Sequence, residues 1–95
     1  VITSFGDRET YELFDTGNVP DKGCGWVGVA EIAREKLFAL HSAEELTDLW
    51  TPPGNKPKSV EGEWYTMRIN DQWRIKFEWT DDGHAERVHI CDPHD

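Results

Sequence analysis

The chain has 95 residues, enough for a single domain over 1–95 whose small core must draw on five Trp, four Phe and two Tyr, since aromatic side chains bury the most area per residue. It contains no run of about 18 apolar residues and no basic segment leading into an apolar stretch at its N-terminus, so the expectations are no membrane span, no signal peptide and a cytoplasmic location. The net charge of −9 disfavours a protein that binds nucleic acid through a broad basic surface, and the excess is uneven: residues 1–54 carry −6 and residues 55–95 carry −3.

In chain order, Val1–Phe5 reads as a short first strand, and Gly6-Asp7 introduces a helix through about Thr16 with Thr10, Leu13 and Phe14 on one stripe and Gly17 at its end. Residues 17–25 hold three glycines and a proline, which marks a loop. A longer helix is predicted from about Val27 to His41, because Val29, Ile32, Ala33, Lys36, Leu37 and Leu40 recur at three-and-four spacing. Ser42-Ala-Glu-Glu45 has the form of a capping box and starts a short helix through Leu46, Leu49 and Trp50, which Pro52-Pro53 stops. From Lys58 onward the pattern is strands: a brief one over Lys58–Glu61, a long hairpin, a turn at Asp81-Asp82-Gly83 and a last strand over about His84–Asp92. Helices first and hairpin-connected strands afterwards predict an α+β fold, with the helices on one face of a small, mostly antiparallel sheet.

The hairpin is the most informative part. Tyr65, Met67 and Ile69 alternate in one run, and Trp73, Ile75, Phe77 and Trp79 in the next. A two-residue turn would set Met67 opposite Arg74 and mix the two faces, whereas a three-residue loop over Asn70-Asp71-Gln72 sets Ile69 against Trp73 and Met67 against Ile75. On the opposite face Arg68 then lies across from Arg74 and Thr66 across from Lys76. Like charges directly paired cost stability. Neighbouring carboxylates or a bound phosphate would each relieve that cost.

The strings Pro52-Pro-Gly-Asn55 and Arg68-Ile-Asn-Asp-Gln-Trp-Arg74, with the opening Ile2-Thr-Ser-Phe5, the Ala33–Leu37 helix and the terminal Asp92-Pro-His94, resemble in content and order the HigB toxins of the RelE/ParE superfamily. Residues 17–28 alone look foreign to that pattern. The resemblance implies a RelE-like fold and the toxin of a type II toxin–antitoxin system: a ribosome-dependent mRNA endoribonuclease that inhibits translation, with a helix-turn-helix antitoxin, the ribosome and mRNA as partners. It also implies a site. Metal-free RNA cleavage needs a base, a positive clamp for the developing charge on phosphorus, and an acid. Arg74, with Arg68 beside it, fits the clamp; Asp92 or His94 fits the proton transfers; Lys58 occupies a place where some members carry His and others Glu. Lys76 and Trp64 complete the expected RNA-binding set, Trp64 by stacking on a base.

Two departures fall in this region. Pro93 stands where the family's terminal Asp-Tyr-His has its tyrosine, and Glu61 stands where many members carry lysine, followed here by a shortened loop. With the charge of −9 they motivate a second reading, a catalytically weakened or inactive protein on the same scaffold that binds an antitoxin or another protein target. No cofactor or metal is expected, since His41, His84, His89 and His94 show no helical i, i+4 pair and Cys24 and Cys91 are lone thiols. By alternation with Val88 and Ile90, His89 shares the open face with Arg87.

Overall fold

The computed structural model describes residues 1–19, 25–50, 58–61 and 64–92, with side chains omitted at 50 and 58–61. Helix α1 spans Arg8–Thr16. Asp7 caps it by accepting the Thr10 N–H at 2.8 Å, and Gly17, at φ 77, closes it by donating its N–H to the Leu13 carbonyl. Helix α2 spans Ala30–Ser42 and is preceded by a 3-10 turn over Trp26–Val29, so the regular helix begins later than Val27.

The buried stripe of α2 is Ala30, Ala33, Leu37 and Leu40, while Ile32, expected in the core, is exposed. The stripe centres on Ala33 and Leu37, and Ile32 lies about 100° around the axis from Ala33. The capping box at Ser42 does not form, because Ser42 ends α2. The 3-10 turn over Leu46–Trp50 is held instead by Asp48, whose Oδ2 accepts the N–H groups of Glu44 at 2.9 Å and Glu45 at 3.1 Å.

Strands β1 (Lys58–Glu61), β2 (Trp64–Arg68), β3 (Arg74–Trp79) and β4 (Ala85–Cys91) form an antiparallel sheet in the order β1-β2-β3-β4. Met67, Ile75, Phe77, Val88 and Ile90 point from it toward Leu13, Ala33, Leu37 and Leu40 of the helices, the α+β arrangement expected of a RelE-like fold. Thr10 is the one buried polar residue among those described; its hydroxyl accepts the Ile90 N–H at 3.2 Å and ties α1 to β4. The N-terminal segment runs parallel to the outer edge of β4, yet makes only isolated bridges, Ile2 with Ala85 and Phe5 with Val88, rather than a regular strand. His41 anchors its start, Nδ1 accepting the Ile2 N–H at 3.2 Å.

The ladder is broken by a bulge in β4. Glu78 pairs with Glu86 and Lys76 with His89, so Arg87 and Val88 together oppose Phe77. Arg87 takes up the extra residue at φ 53, a left-handed conformation that costs a non-glycine residue of order 1–3 kcal/mol. The bulge lets Ala85 and Val88, three residues apart, both face the core.

Candidate functional site

The face of the sheet turned away from the core holds the polar residues singled out from the sequence, and the hairpin register arranges them in rows. Arg68 pairs with Arg74 and Thr66 with Lys76, the register expected from a three-residue loop. Asn70 fixes that loop: its side-chain oxygen accepts the N–H groups of Gln72 at 2.9 Å and Trp73 at 2.7 Å, and the Ile69 N–H donates to the Trp73 carbonyl at 2.9 Å. Extending the rows outward, Arg74 meets Cys91, Lys76 meets His89, and Thr66 meets Lys58. The sheet therefore brings Arg68, Arg74, Lys76 and Trp64 onto one face, with Lys58 level with Thr66 in register. His94 lies outside the described residues.

Local contacts partly answer the repulsion between the paired arginines. Arg68 forms an ion pair with Asp71 of the loop. Arg74 turns toward the loop, its Nη1 donating to the carbonyls of Asn70 and, at 3.1 Å, of Trp73. A guanidinium has five N–H donors, so a hold through one nitrogen is compatible with further bonds to an anion. Glu78, a carboxylate in the same strand as Arg74, pairs with another arginine: its Oε1 lies 3.1 Å from Arg87 Nη1.

Asp92 stands at the same end of the sheet, its Oδ2 accepting from Gln72 Nε2 at 3.1 Å, a bond that joins the hairpin loop to the end of β4. Cys91 sits between this carboxylate and the row of Lys76 and His89. Burial, ahead of the charges of Lys76, Asp92 and Arg74, pushes its thiol above the usual 9.0, so it stays protonated and is a poor nucleophile. Among the described residues no three His, Cys, Asp or Glu side chains converge as a metal site would need.

Trp64 has its ring 5.0 Å from Lys76 Nζ, a cation–π contact, and 6.1 Å edge-on from the His89 ring. Trp79 packs against the core instead, with its ring edge toward Phe77. Sequence reasoning placed His89 on this face and gave it no part in the site; its alternation with Val88 and Ile90 was the available signal. Asp71 and Gln72 read from the sequence only as loop residues, because their contacts depend on how the loop folds.

A family model described as the RelE-like toxin of type II toxin–antitoxin system HigB matches residues 4–94. The chain is also similar to Toxin HigB-1 of Vibrio cholerae serotype O1, 40% identical over 62 residues that cover 62% of this chain and 63% of that protein. No helix among the described residues is long and apolar enough to cross a membrane. The match over nearly all of the chain coincides with a helix-backed antiparallel sheet whose open face pairs Arg68 with Arg74, and on that ground the chain belongs to the HigB-like family of RelE-like type II toxins.

Proposed function

We propose that the protein is a metal-independent endoribonuclease that cuts mRNA on the ribosome, inhibits translation, and is silenced by a cognate helix-turn-helix antitoxin in the cytoplasm. The observation that carries this reading is the register pairing Arg68 with Arg74 on the open face, with Lys76 in the next row and Asp92 bonded to the same hairpin loop. Arg74 is the clamp for charge developing on phosphorus, where a single positioned donor contributes about 10²–10³ in rate. Asp92 or His94 serves the proton transfers, with Lys58 as a further catalytic group. Arg68 and Lys76 steer the phosphate backbone, and Trp64 offers a ring to a base.

A second reading has specific support. Arg68 is already paired with Asp71, Arg74 is drawn onto loop carbonyls, and Glu61, Pro93 and the charge of −9 all weaken an RNA site. On that reading the scaffold binds an antitoxin or another protein target without cutting RNA.

The test is to incubate the purified protein with ribosomes translating a defined mRNA and map the 5′ ends, with Arg74→Ala and His94→Ala alongside. The nuclease reading expects cuts within codons that disappear in both variants. Cuts that persist in both would refute the residue assignment. A folded protein that makes no cuts, yet forms a stable complex with a small helical protein, would give precedence to the binding reading.

A further inference from the structure

His89 stands on the site face without a part in the chemistry proposed above. Its Nδ1 lies 2.9 Å from the main-chain oxygen of Arg87. A carbonyl oxygen only accepts, so Nδ1 carries the proton in this contact, and Nε2 of the neutral ring is left with its lone pair. The second nitrogen of a histidine held in this way is the one able to take a proton.

The hold on Nδ1 is built by three elements. The bulge at Arg87, with φ 53, presents the carbonyl. Arg87 is itself secured at both ends: its N–H donates to Ser4 Oγ at 2.9 Å and its guanidinium lies 3.1 Å from Glu78 Oε1. Gly6, bonded through its N–H to the Val88 carbonyl at 2.8 Å, packs directly over the contact. A Cβ at position 6 would lie 2.7 Å from His89 Nδ1 and 2.9 Å from the Arg87 oxygen, closer than real Cβ atoms come. Glycine at this position therefore keeps the imidazole seated. On the other side the ring meets the edge of Trp64, which Lys76 in turn caps.

We propose that His89 is the general base of the nuclease, with Gly6 and the Arg87 carbonyl as its positioning groups. The inference rests on the nuclease reading of the same face and divides its proton transfers, giving the base half to His89 and leaving the acid half to Asp92 or His94. His89 is level with Lys76 and diagonal to Arg74. Adjacent strands lie about 4.8 Å apart and diagonal neighbours about 7–8 Å apart, so a phosphate held between Arg74 and Lys76 is within side-chain reach of the imidazole. Nε2 takes the proton of the ribose 2′-OH as the 2′-oxygen bonds to phosphorus. The bond from phosphorus to the 5′-oxygen breaks, and that oxygen leaves with a proton from a separate acid, the part open to Asp92 or His94. The products are a 2′,3′-cyclic phosphate and a 5′-hydroxyl, with no oxidant or metal required.

Two measurements on the intact protein test this. Long-range nitrogen–proton NMR of the histidine rings reads the tautomer without any RNA: the neutral His89 ring is expected with its proton on Nδ1, and Gly6→Ala is expected to shift it toward the other tautomer. Single-turnover cleavage on translating ribosomes then compares the native protein with His89→Gln and Gly6→Ala, each checked for native near-UV circular dichroism. His89→Gln is expected to slow cleavage about 10²–10⁴-fold, as loss of a general base does. Gly6→Ala is expected to slow it about 10- to 100-fold through misplacement. If the native ring carries its proton on Nε2, the proposal is overturned whatever the cleavage result. If native protein cuts and folded His89→Gln cuts equally fast, the base assignment fails while the nuclease reading stands. If native protein makes no cuts, the nuclease reading fails and the base assignment falls with it. Should His89→Gln lose its fold, the native tautomer and the Gly6→Ala rate decide, and Gly6→Ala cutting at the native rate with its tautomer shifted would overturn the proposal.

Discussion

Thr10→Val exchanges a hydroxyl for a methyl of nearly the same volume at a residue with 0% exposure, where that hydroxyl accepts the Ile90 N–H at 3.2 Å. Ile90 is itself only 6% exposed, so water is poorly placed to take over the bond. An orphaned buried N–H costs about 1–3 kcal/mol. The added methyl returns up to about 0.8 kcal/mol of apolar burial, leaving a net loss of about 0.2–2 kcal/mol. For a domain of this size each kcal/mol lowers the midpoint by about 4–8 °C, so Thr10→Val is expected to melt roughly 1–16 °C below the native protein. Thermal and urea unfolding followed by far-UV circular dichroism measure this, with Thr10→Ser as the control that keeps the acceptor and loses only the methyl, at about 0.8 kcal/mol. If Val matches the native protein while Ser is the less stable variant, methyl packing holds α1 to β4 and the hydrogen-bond argument is wrong.

Three further outcomes are expected. Arg74→Ala is expected to lower mRNA cleavage about 10²–10³-fold while leaving the unfolding free energy measured in urea within about 1 kcal/mol of native, and Arg74→Lys to recover only part of the rate because an ammonium cannot make a bidentate bond to phosphate; full recovery by lysine would remove the case for a guanidinium clamp. The backbone N–H groups of Glu44 and Glu45 hold the Asp48 carboxyl below its usual 3.8. Because the folded value is the lower one, the carboxylate stabilises the fold above the unfolded value and that contribution fades as pH falls through the folded value. The stability gap between the native protein and Asp48→Asn should therefore narrow as pH is taken below 3.8, and a gap that is flat or widens in chemical denaturation across that range would contradict the assignment. Gly17→Ala forces a Cβ into the left-handed region at φ 77 and to 2.9 Å from Arg34 Nη1, so a loss of about 1–2 kcal/mol is expected, with Gly17→Asn costing less; equal stability of Ala and Asn in urea melts would argue against the backbone explanation.

The hairpin was legible because two independent constraints met in it. Alternation fixes which side chains share a face, and only an odd loop reconciles Met67 with Ile75, so Arg68 opposite Arg74 follows from the sequence itself. What neutralises those arginines was not legible. Asp71 and the carbonyls of Asn70 and Trp73 are reached through side-chain rotamers and loop geometry that strand periodicity does not encode. The helices were legible in existence and less so in phase: Val29, Ile32 and Lys36 satisfied the same spacing as Ala33 and Leu37, and the small alanines proved to mark the buried side. Asp48 took the capping role expected of Ser42 and Glu45, since α2 runs on through Ser42 and leaves it no free helix start to cap. His41 was expected only as a helix-end residue, and its bond to Ile2 spans 39 residues, a separation local reasoning cannot bridge.

The bulge at Arg87 also has a bearing on how chains of this family are aligned. Glu86 pairs with Glu78 and His89 with Lys76, so a sequence lacking residue 87 would still place Ala85, Val88 and Ile90 inward and Glu86 and His89 outward. A single-residue gap at this point is therefore silent for the fold: no inward residue moves outward and no strand slips. It is not silent for the histidine, because the carbonyl that meets Nδ1 belongs to the additional residue itself. Among relatives, a one-residue length difference in this strand would separate chains able to seat an imidazole in this way from chains that keep the same architecture without it.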